Sequence, residues 1–288
     1  MYLRPISLQG LNTLLSVEQW QTFSQELHLS LKSKPRHKPF KDEVRKIIGS
    51  SDENTADKIH EQAHVLGVIV ESRNHPNLIP VVSEVLFCLD IPVQIFHGPS
   101  SKHKLVEHFS AEIKSGKITL SPLKHDQLLP DAYNTLLMSF AFWQSLKTRN
   151  KVLIFQCDAV LCPTSPYNLD HFLQYDYIGS WWPAERPVGV YTEGGNGGFS
   201  LRDWYAHVKC IETFNAQTWP GAEDSFFAFY LTVMGANVAS EKDTIEFGTQ
   251  HKFDKKSFGA HKIGCLPPQE LKAFLEYTPT SKRILDHP

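Results

Sequence analysis

The sequence has no excess of charge of either sign and no long apolar run. Its 288 residues contain 29 Lys and Arg against 31 Asp and Glu, which leaves a net charge of −2. This balance offers no electrostatic basis for binding nucleic acid or an anionic membrane surface. No apolar run approaches the roughly 20 residues that span a bilayer, and the first residues lack the apolar stretch of a signal peptide. We therefore expect no nucleic-acid partner and no transmembrane segment.

Cysteine is scarce, and no two cysteines form a Cys-x-x-Cys pair. The five cysteines are scattered along the chain, at Cys88, Cys157, Cys162, Cys210 and Cys265. An odd number without paired spacing argues against a zinc site of the usual kind and favours a reducing compartment. We expect a cytoplasmic location.

Glycine-rich phosphate-binding motifs are also absent. The first predicted strand, Val65 to Val70, is followed by Glu71 to His75, a segment without glycine. The Gly-x-Gly-x-x-Gly fingerprint must follow a strand and open a helix, so a dinucleotide-binding site of that kind is excluded. No Gly-x-x-x-x-Gly-Lys-Ser/Thr loop occurs either. A nucleotide bound by this chain would need a metal ion or side-chain cations at its phosphates.

Strands and helices alternate from residue 64 onward. Short apolar runs predict strands at 65–70, 91–96, 118–120 and 151–156. Amphipathic segments predict helices at 78–89, 104–113 and 131–146. Strands joined by helices predict an α/β fold with a mainly parallel central sheet flanked by helices. Ligands of such sheets bind at the carboxyl ends of the strands.

Residues 1–60 have a different pattern. Apolar residues recur at three- and four-residue steps from Leu11 to Leu27, which predicts an amphipathic helix. A second helix is expected at 41–48, and Ser50 to Glu53 resembles a capping box that opens a third. We expect a helical N-terminal extension over residues 1–60 and the main domain over residues 61–288.

Polar side chains follow the predicted strand at 151–156. Gln156 and Asp158 are two residues apart, so they share one face while the chain stays extended. Oxygen ligands of this kind suit Mg²⁺ or Mn²⁺ carried by a diphosphate. An Asp at this position also serves as a turn or capping residue, so the pattern alone leaves both interpretations open.

Three further features follow along the chain. Four glycines surround Asn196 between Gly194 and Gly198, Glu223 and Asp224 precede an apolar helix, and His261 precedes Lys262. The glycines allow close approach of a substrate to the backbone. A carboxylate at the start of the helix could serve as a base for an acceptor hydroxyl. A hairpin, helix capping and a buried histidine are the structural alternatives for the three features.

In this order the features resemble the motif set of glycosyltransferases with the GT-A fold. That set consists of an Asp-x-Asp-type metal motif, a glycine-rich loop, an x-Glu-Asp motif and a C-terminal metal-binding His. More closely, stretches between residues 64 and 264 are similar to an uncharacterised glycosyltransferase-like family, largely known as a domain of unknown function. The similar stretches are 68–77, 94–98, 128–137, 165–167, 175–179 and 196–202. The resemblance does not extend to residues 1–60.

The resemblance implies a role for each matching residue. Asp158 and His261 would hold Mn²⁺ or Mg²⁺ against the diphosphate of a nucleotide sugar. The donor nucleotide would contact Glu71, Ser72, Arg73, Gln156, Asp158 and Lys262. Sugar and acceptor would lie at Asn196, Gly197 and Gly198. Asp224, with Glu223 beside it, would act as general base in a single displacement that inverts the anomeric centre.

Two tryptophans and one departure from the motif complete the prediction. Trp181 or Trp182 could form a stacking platform for the acceptor, with core packing as the alternative. Gln156 stands where the motif has its first Asp, and a neutral ligand lowers the expected metal affinity.

The resemblance implies a metal-dependent hexosyltransferase. UDP is the favoured donor nucleotide, and the acceptor is a glycan, a lipid-linked sugar or a small molecule. Two alternatives stay open at this point. One is a nucleotide-sugar-binding scaffold without turnover, and the other is a nucleotidyltransferase.

Overall fold

A computed structural model describes residues 2–8, 15–32, 40–49, 63–254 and 256–287. Nine strands are found in these residues: β1 (Val65–Glu71), β2 (Val93–His97), β3 (Ile118–Pro122), β4 (Lys151–Phe155), β5 (Ala159–Leu161), β6 (Tyr177–Ser180), β7 (Asn196–Asp203), β8 (Gly248–Thr249) and β9 (Gly259–His261). The helices are α1 (Val17–Leu29), α2 (Phe40–Ile47), α3 (Leu78–Leu89), α4 (Lys102–His108), α5 (Ser110–Lys114), α6 (Pro130–Leu137), α7 (Phe140–Ser145), α8 (Trp204–Thr213), α9 (Glu223–Val233), α10 (Glu241–Phe247), α11 (Pro268–Tyr277) and α12 (Arg283–Asp286).

Six strands form the central sheet, in the order β3-β2-β1-β4-β7-β6. The first four are mutually parallel, and β7 runs antiparallel to both β4 and β6. Because β7 is reversed, its start lies at the same edge of the sheet as the ends of β1 and β4. The predicted α/β fold with a mainly parallel sheet flanked by helices is confirmed.

A second, smaller sheet has the order β5-β9-β8. Its strand β5 follows β4 after a short turn, and β9 pairs antiparallel to it. This pairing sets Ala159 opposite His261. The register therefore brings the end of β9 back to the turn that contains Asp158.

The core lies on both faces of the central sheet. Leu66, Val68 and Val70 of β1 belong to the hydrophobic cluster on one face, together with α6 to α9. Val65 and Ile69 belong to the cluster on the other face, with α3. This alternation follows the two-residue period of a strand, and burial on both faces explains the continuous apolar run in the sequence.

The two described N-terminal helices pack against the α/β part of the chain. Trp20 of α1 is buried, with its ring centroid 5.5 Å from that of Phe214. Val44 and Ile47 of α2 enter the same hydrophobic cluster. The predicted helical character of this region is confirmed for 17–29 and 40–47, while the division at residue 60 stays a prediction. Residues 11–14 and the capping box at 50–53 lie outside the described residues.

Two predicted helices are each divided in two. The helix expected at 131–146 ends at Leu137, and α7 begins after Ser139, whose Oγ accepts a hydrogen bond from the backbone N–H of Phe142 at 3.2 Å. A serine at this position favours a new helix start over continuation. The helix expected at 104–113 is likewise divided, at Phe109, into α4 and α5.

None of the helices described is both long and apolar enough to cross a bilayer.

Candidate active site

A cavity of 690 Å³ opens at the carboxyl edge of the central sheet. Its walls include nearly all the residues singled out in the sequence: Glu71, Ser72, Arg73, Gln156, Asp158, Trp182, Asn196, Gly197, Gly198, Glu223, Asp224, His261 and Lys262. These residues come from the ends of β1, β4 and β9, from the starts of β7 and α9 and, for Trp182, from the segment after β6. The volume lies within the ~300–1,000 Å³ of ordinary ligand sites.

Asp158 and His261 face each other in this cavity. Oδ1 of Asp158 lies 3.1 Å from Nε2 of His261. Both side chains are mostly withdrawn from solvent, with 20% and 5% of their surface exposed. Burial alone raises the pKa of Asp158, but His261 and the charge of Lys262 outweigh it and hold the pKa of this carboxyl below its ordinary value. Asp158 is therefore an anion at neutral pH.

Two glutamines complete the arrangement around His261. Oε1 of Gln156 lies 3.1 Å from Nε2 of the ring, and Oε1 of Gln250 lies 3.1 Å from Nδ1. We call Gln156, Asp158, Gln250 and His261 the Asp158 cluster. Nε2 of the histidine thus faces two oxygen atoms, one from the Gln156 amide and one from the Asp158 carboxylate.

The Asp158 cluster fits a divalent cation. Oδ1 of Asp158 is buried, and apart from the 3.1 Å ion-pair contact with Nε2 of His261 no donor in the described part of the chain reaches it in hydrogen-bond geometry. A carboxylate oxygen, an amide oxygen and an imidazole nitrogen are suitable ligands for Mn²⁺ or Mg²⁺. Across the described ranges, no three His, Cys, Asp or Glu side chains come together in a metal-binding arrangement. The cluster thus offers one carboxylate, one imidazole and one neutral amide.

The end of β1 contributes an ion pair to the cavity wall. Arg73 donates two hydrogen bonds to the carboxylate of Glu71, from Nε and Nη2, each at 2.9 Å. The hydrogen bond to Glu71 is the main cause of a raised pKa of Arg73. The buried Ser72 lies between them in sequence. Arg73 keeps an exposed guanidinium that can approach an anionic ligand.

Lys262 is a second cation on the wall. Its backbone has a φ of +52°, in the left-handed region that side chains other than glycine rarely occupy. The backbone N–H of Lys262 donates to the carbonyl of Asp158 at 3.0 Å. This bond holds the two residues side by side, and the ammonium group stays exposed.

Asp224 at the start of α9 has its carboxylate fixed by amide donors. Oδ2 accepts hydrogen bonds from Nδ2 of Asn196 at 3.0 Å and from the backbone N–H of Gly197 at 3.3 Å. Oδ1 accepts from the backbone N–H of Ser225 at 2.6 Å. Oδ2 thus accepts two hydrogen bonds and Oδ1 one, so Oδ1 retains a lone pair for a further donor, such as a ligand hydroxyl.

Glu223 is held differently from its neighbour. Its carboxylate forms a two-point ion pair with Arg202, with Nη2 to Oε1 at 2.8 Å. Both side chains are almost fully buried. Burial alone lowers the pKa of Arg202, but the charge and hydrogen bonds of Glu223 more than reverse this, so the pKa stays above its ordinary value. We call Asn196, Arg202, Glu223 and Asp224 the Glu223 cluster.

The backbone of Gly197 and Gly198 separates the two clusters. A Cβ on Gly197 would lie 2.2 Å from Oε1 of Glu223, and one on Gly198 would lie 2.2 Å from Nε2 of His261. Real Cβ contacts essentially never occur at these distances, so a side chain at either position would displace Glu223 or His261. Successive residues of a strand point to opposite sides. The clusters therefore stand on the two sides of one strand and face a single cavity.

The two tryptophans are placed differently. Trp182 lines the cavity, and its ring meets that of His251 edge-on at 4.8 Å. Trp181 is absent from the cavity wall, and its Nε1 donates to Oε1 of Glu241 at 3.2 Å. Only the second tryptophan is brought together with the other predicted site residues.

Several cavity residues were not singled out individually in the sequence, and three of them have polar groups beside the two clusters. Gln250 touches His261, Asn134 accepts a hydrogen bond from the backbone N–H of Glu223 at 2.8 Å, and Tyr133 has a buried hydroxyl without a described partner. Tyr133 and Asn134 lie in the 128–137 stretch that carried the family resemblance. Nothing in the sequence around Gln250 marks it, because its place depends on the two-residue strand β8.

The fold and the cavity define an α/β protein with a polar, ligand-sized site at the carboxyl edge of its sheet. Residues 120–261 match the family model DUF5672, described as a protein of unknown function. The predicted resemblance to a family known as a domain of unknown function is thereby confirmed. The matched segment contains Gln156, Asp158, Asp224 and His261, but not the end of β1. No curated protein sequence was found to match the chain.

Among solved structures, the chain is similar to the mannosyltransferase PcManGT from Pyrobaculum calidifontis, in complex with GDP-Man and Mn²⁺. The identity is 14% and the TM-score 0.43, over 79% of this chain and 65% of that one. The chain thus spans less than two thirds of the mannosyltransferase. A putative glucose-1-phosphate thymidylyltransferase from Bacillus anthracis, in complex with a sucrose, is 13% identical with a TM-score of 0.37, over 58% of this chain and 83% of that one. Both likenesses are too distant to bear on substrate or mechanism.

Proposed function

We propose that this protein is a metal-dependent glycosyltransferase that moves a hexose from a nucleoside diphosphate sugar to a hydroxyl acceptor. The observation that carries the proposal is the pair of clusters on either side of Gly197 and Gly198. One cluster offers ligands for a divalent cation, and the other offers the oriented carboxylate of Asp224. Both face one cavity.

The Asp158 cluster is the proposed diphosphate end of the cavity. Asp158, His261 and Gln156 would hold Mn²⁺ or Mg²⁺, with the remaining ligands from the diphosphate. When bound, this metal supplies electrostatic stabilisation of the departing diphosphate. Lys262 and Arg73 add positive charge from the protein itself. The diphosphate would need such cations, because the loop after β1 has no glycine-rich motif to bind its phosphates through backbone N–H groups. Glu71 and Ser72 then border the nucleoside.

Asp224 is the proposed general base. The acceptor oxygen attacks the anomeric carbon while the bond from that carbon to the diphosphate oxygen breaks. The hydroxyl proton passes to the Asp224 carboxylate, and the nucleoside diphosphate leaves. A single displacement of this kind inverts the anomeric configuration. The hydrogen bonds from Asn196 and Gly197 keep the carboxylate plane fixed during the transfer.

Trp182 is the proposed acceptor platform, because it is the tryptophan that lines the cavity. Trp182→Ala is expected to raise the acceptor KM about tenfold through lost stacking. Trp181→Ala serves as the matched control and should leave this KM unchanged. Equal acceptor KM values in wild type and Trp182→Ala would remove the platform from the proposal.

UDP is the proposed nucleotide of the donor, because of the family resemblance noted in the sequence. The acceptor class stays open among glycans, lipid-linked sugars and small molecules. The cytoplasmic location stays a prediction, in keeping with five cysteines that are all unpaired.

Thermal stabilisation by ligands tests the proposal. UDP, GDP, CMP and their common sugars are added with and without Mn²⁺ to wild type, Asp158→Ala and the exposed control Asp170→Ala. A ligand at 100 times its Kd adds about 2.7 kcal/mol of stability, a clear shift in Tm. We expect a nucleotide-dependent shift that needs Mn²⁺, persists in Asp170→Ala and disappears in Asp158→Ala.

Two other results would point elsewhere. If no nucleotide shifts the Tm at millimolar ligand and metal, the transferase proposal fails. Release of pyrophosphate instead of nucleoside diphosphate during turnover would identify a nucleotidyltransferase.

A further inference from the structure

Gln250 is a fully buried polar residue that the proposed mechanism does not yet use. It directly follows β8, which pairs in parallel with β9 so that Thr249 lies opposite Ala260. One residue further in this register, Gln250 comes beside His261. The contact between the two side chains is thus built by the small sheet and not by a flexible loop.

The hydrogen bond between them determines where the ring carries its proton. Oε1 of Gln250, 3.1 Å from Nδ1 of His261, is an amide oxygen and can only accept. With the amide in this orientation, Nδ1 is the protonated nitrogen. In the neutral ring this leaves the lone pair on Nε2, 3.1 Å from the oxygens of both Gln156 and Asp158. A lone pair facing two acceptor oxygens is favourable only with a positive charge among them, either a divalent cation or the second proton of an imidazolium.

A second contact couples the Gln250 amide to another histidine ring. Its Nε2 lies 3.3 Å from Nε2 of His251, so the NH₂ group can donate to that ring while the oxygen faces His261. His251 in turn meets the ring of Trp182 edge-on. Rotating the amide by half a turn would preserve both contacts only if each ring took the opposite tautomer.

We propose that Gln250 is a positioning residue that holds His261 in the Nδ1-protonated tautomer, so that Nε2 offers its lone pair to a divalent cation beside Asp158. This assignment rests on the proposed function for the role of the cation. The tautomer itself is a property of the protein alone. Partners of this kind on the second nitrogen of a metal-binding histidine fix both the tautomer and the ring orientation.

The tautomer is measured first, without metal. Protein labelled with ¹⁵N in histidine is examined by long-range ¹H–¹⁵N correlation at about pH 8.5, well above the ordinary histidine pKa of about 6.5. The His261 signals are assigned by their loss in His261→Asn. We expect the Nδ1–H pattern in wild type and in Gln250→Glu, whose carboxylate still accepts, and the Nε2–H pattern in Gln250→Leu.

A matched control comes from a second fully buried glutamine outside the cavity. Gln94 donates to Oγ of Ser121 and accepts from the backbone N–H of Lys147, at 2.8 and 2.9 Å. Gln94→Leu makes the same chemical change at a comparable site. It is expected to lower the Tm while leaving the His261 tautomer as in wild type.

Manganese affinity is measured second, by electron paramagnetic resonance of free Mn²⁺. The solution contains the nucleotide that raises the Tm in the thermal-stabilisation experiment described above. Gln250→Leu should raise the Mn²⁺ Kd about 10- to 100-fold, while Gln250→Glu and Gln94→Leu stay within about threefold of wild type. An Nε2–H ring in wild type, or an unchanged tautomer in Gln250→Leu, overturns the assignment. If the tautomer depends on Gln250 but wild type binds no Mn²⁺, the metal-dependent function fails while the link from Gln250 to His261 stands.

Discussion

The Asp158 and Glu223 clusters lie on opposite sides of one glycine pair, yet their polar atoms are satisfied to different degrees. In the Glu223 cluster the buried Arg202 and Glu223 neutralise each other in a two-point ion pair. In the Asp158 cluster, the contact of Oδ1 of Asp158 among the described residues is Nε2 of His261, which also faces the oxygen of Gln156. Buried polar groups are nearly always paired, and the proposed cation would supply the pairing here.

From this difference we expect the Arg202–Glu223 pair to serve the stability of the fold and the Asp158 cluster to serve ligand binding. The Arg202–Glu223 ion pair is complete without substrate, so it is expected to stabilise the folded chain and position α9. In the proposed function, the Asp158 cluster is completed by a divalent cation. The two neighbouring carboxylates then have separate roles. Glu223 pairs with Arg202 inside the protein, and Asp224 faces the cavity.

The largest expected effect tests that division between adjacent carboxylates. Asp224→Asn removes the proposed base and should lower kcat about 10³-fold, which is about 4 kcal/mol of activation free energy. The donor Kd, measured by calorimetry, should stay unchanged because the Asp158 cluster is intact. Glu223→Gln is the matched control, and it should lower the Tm while retaining far more activity per folded molecule. Full activity of Asp224→Asn would remove Asp224 from the mechanism.

The next effect concerns the ion pair. Arg202→Met leaves Glu223 buried without its counter-charge, and the free energy of unfolding should fall by at least about 3 kcal/mol. The double variant Arg202→Met, Glu223→Leu should recover much of this loss, since no buried charge then remains. Urea denaturation measures both, with the exposed Arg45→Met as control. A loss below about 1 kcal/mol in Arg202→Met, as for a surface pair, would contradict a structural role for this cluster.

A pair of glycine substitutions probes both clusters from the same strand. In Gly198→Ala the new methyl group collides with His261 and Gln156, and the Mn²⁺ Kd should rise about 10- to 100-fold. In Gly197→Ala it collides with Glu223 and Arg202. We expect that variant to lose mainly stability, measured by its Tm. Equal losses of Mn²⁺ affinity and Tm in both variants would show that the clusters are not separable.

Much of this fold is readable from the sequence, because its elements follow local rules. The apolar run at 65–70 became a strand buried on both faces, and the helix predicted at 78–89 has those same bounds. The strand predicted at 151–156 likewise placed Asp158 at the carboxyl edge of the sheet, whereas Asp224 and His261 were brought to the same site only by the family resemblance. That edge is a consequence of parallel topology, which the alternating pattern already contains.

The remaining features depend on tertiary register. Gln250 reaches His261 through the pairing of a two-residue strand, for which no sequence pattern exists. Arg202 and Glu223 are far apart in the chain and meet only when α9 packs beside β7. Adjacent residues such as Trp181 and Trp182 point in different directions, so the sequence could indicate that one lines a cavity but not which.

The smallest expected effect extends the comparison to a satisfied polar group far from the cavity. His28 of α1 is buried, with Nδ1 2.7 Å from Oγ1 of Thr218 and Nε2 2.6 Å from the hydroxyl of Tyr230. Burial lowers its pKa to about 3, against a partly opposing hydrogen bond from Thr218. In the unfolded chain the pKa of His28 is about 6.5, so below that pH the unfolded chain binds a proton that the folded chain does not. The free energy of unfolding therefore decreases as the pH is lowered from about 6.5 toward the folded pKa. Between pH 7.5 and 5.5 wild type should lose about 1 kcal/mol more than His28→Gln, in which this titration is absent. Urea denaturation at the two pH values measures the difference, and parallel pH dependences would show that His28 is not held neutral.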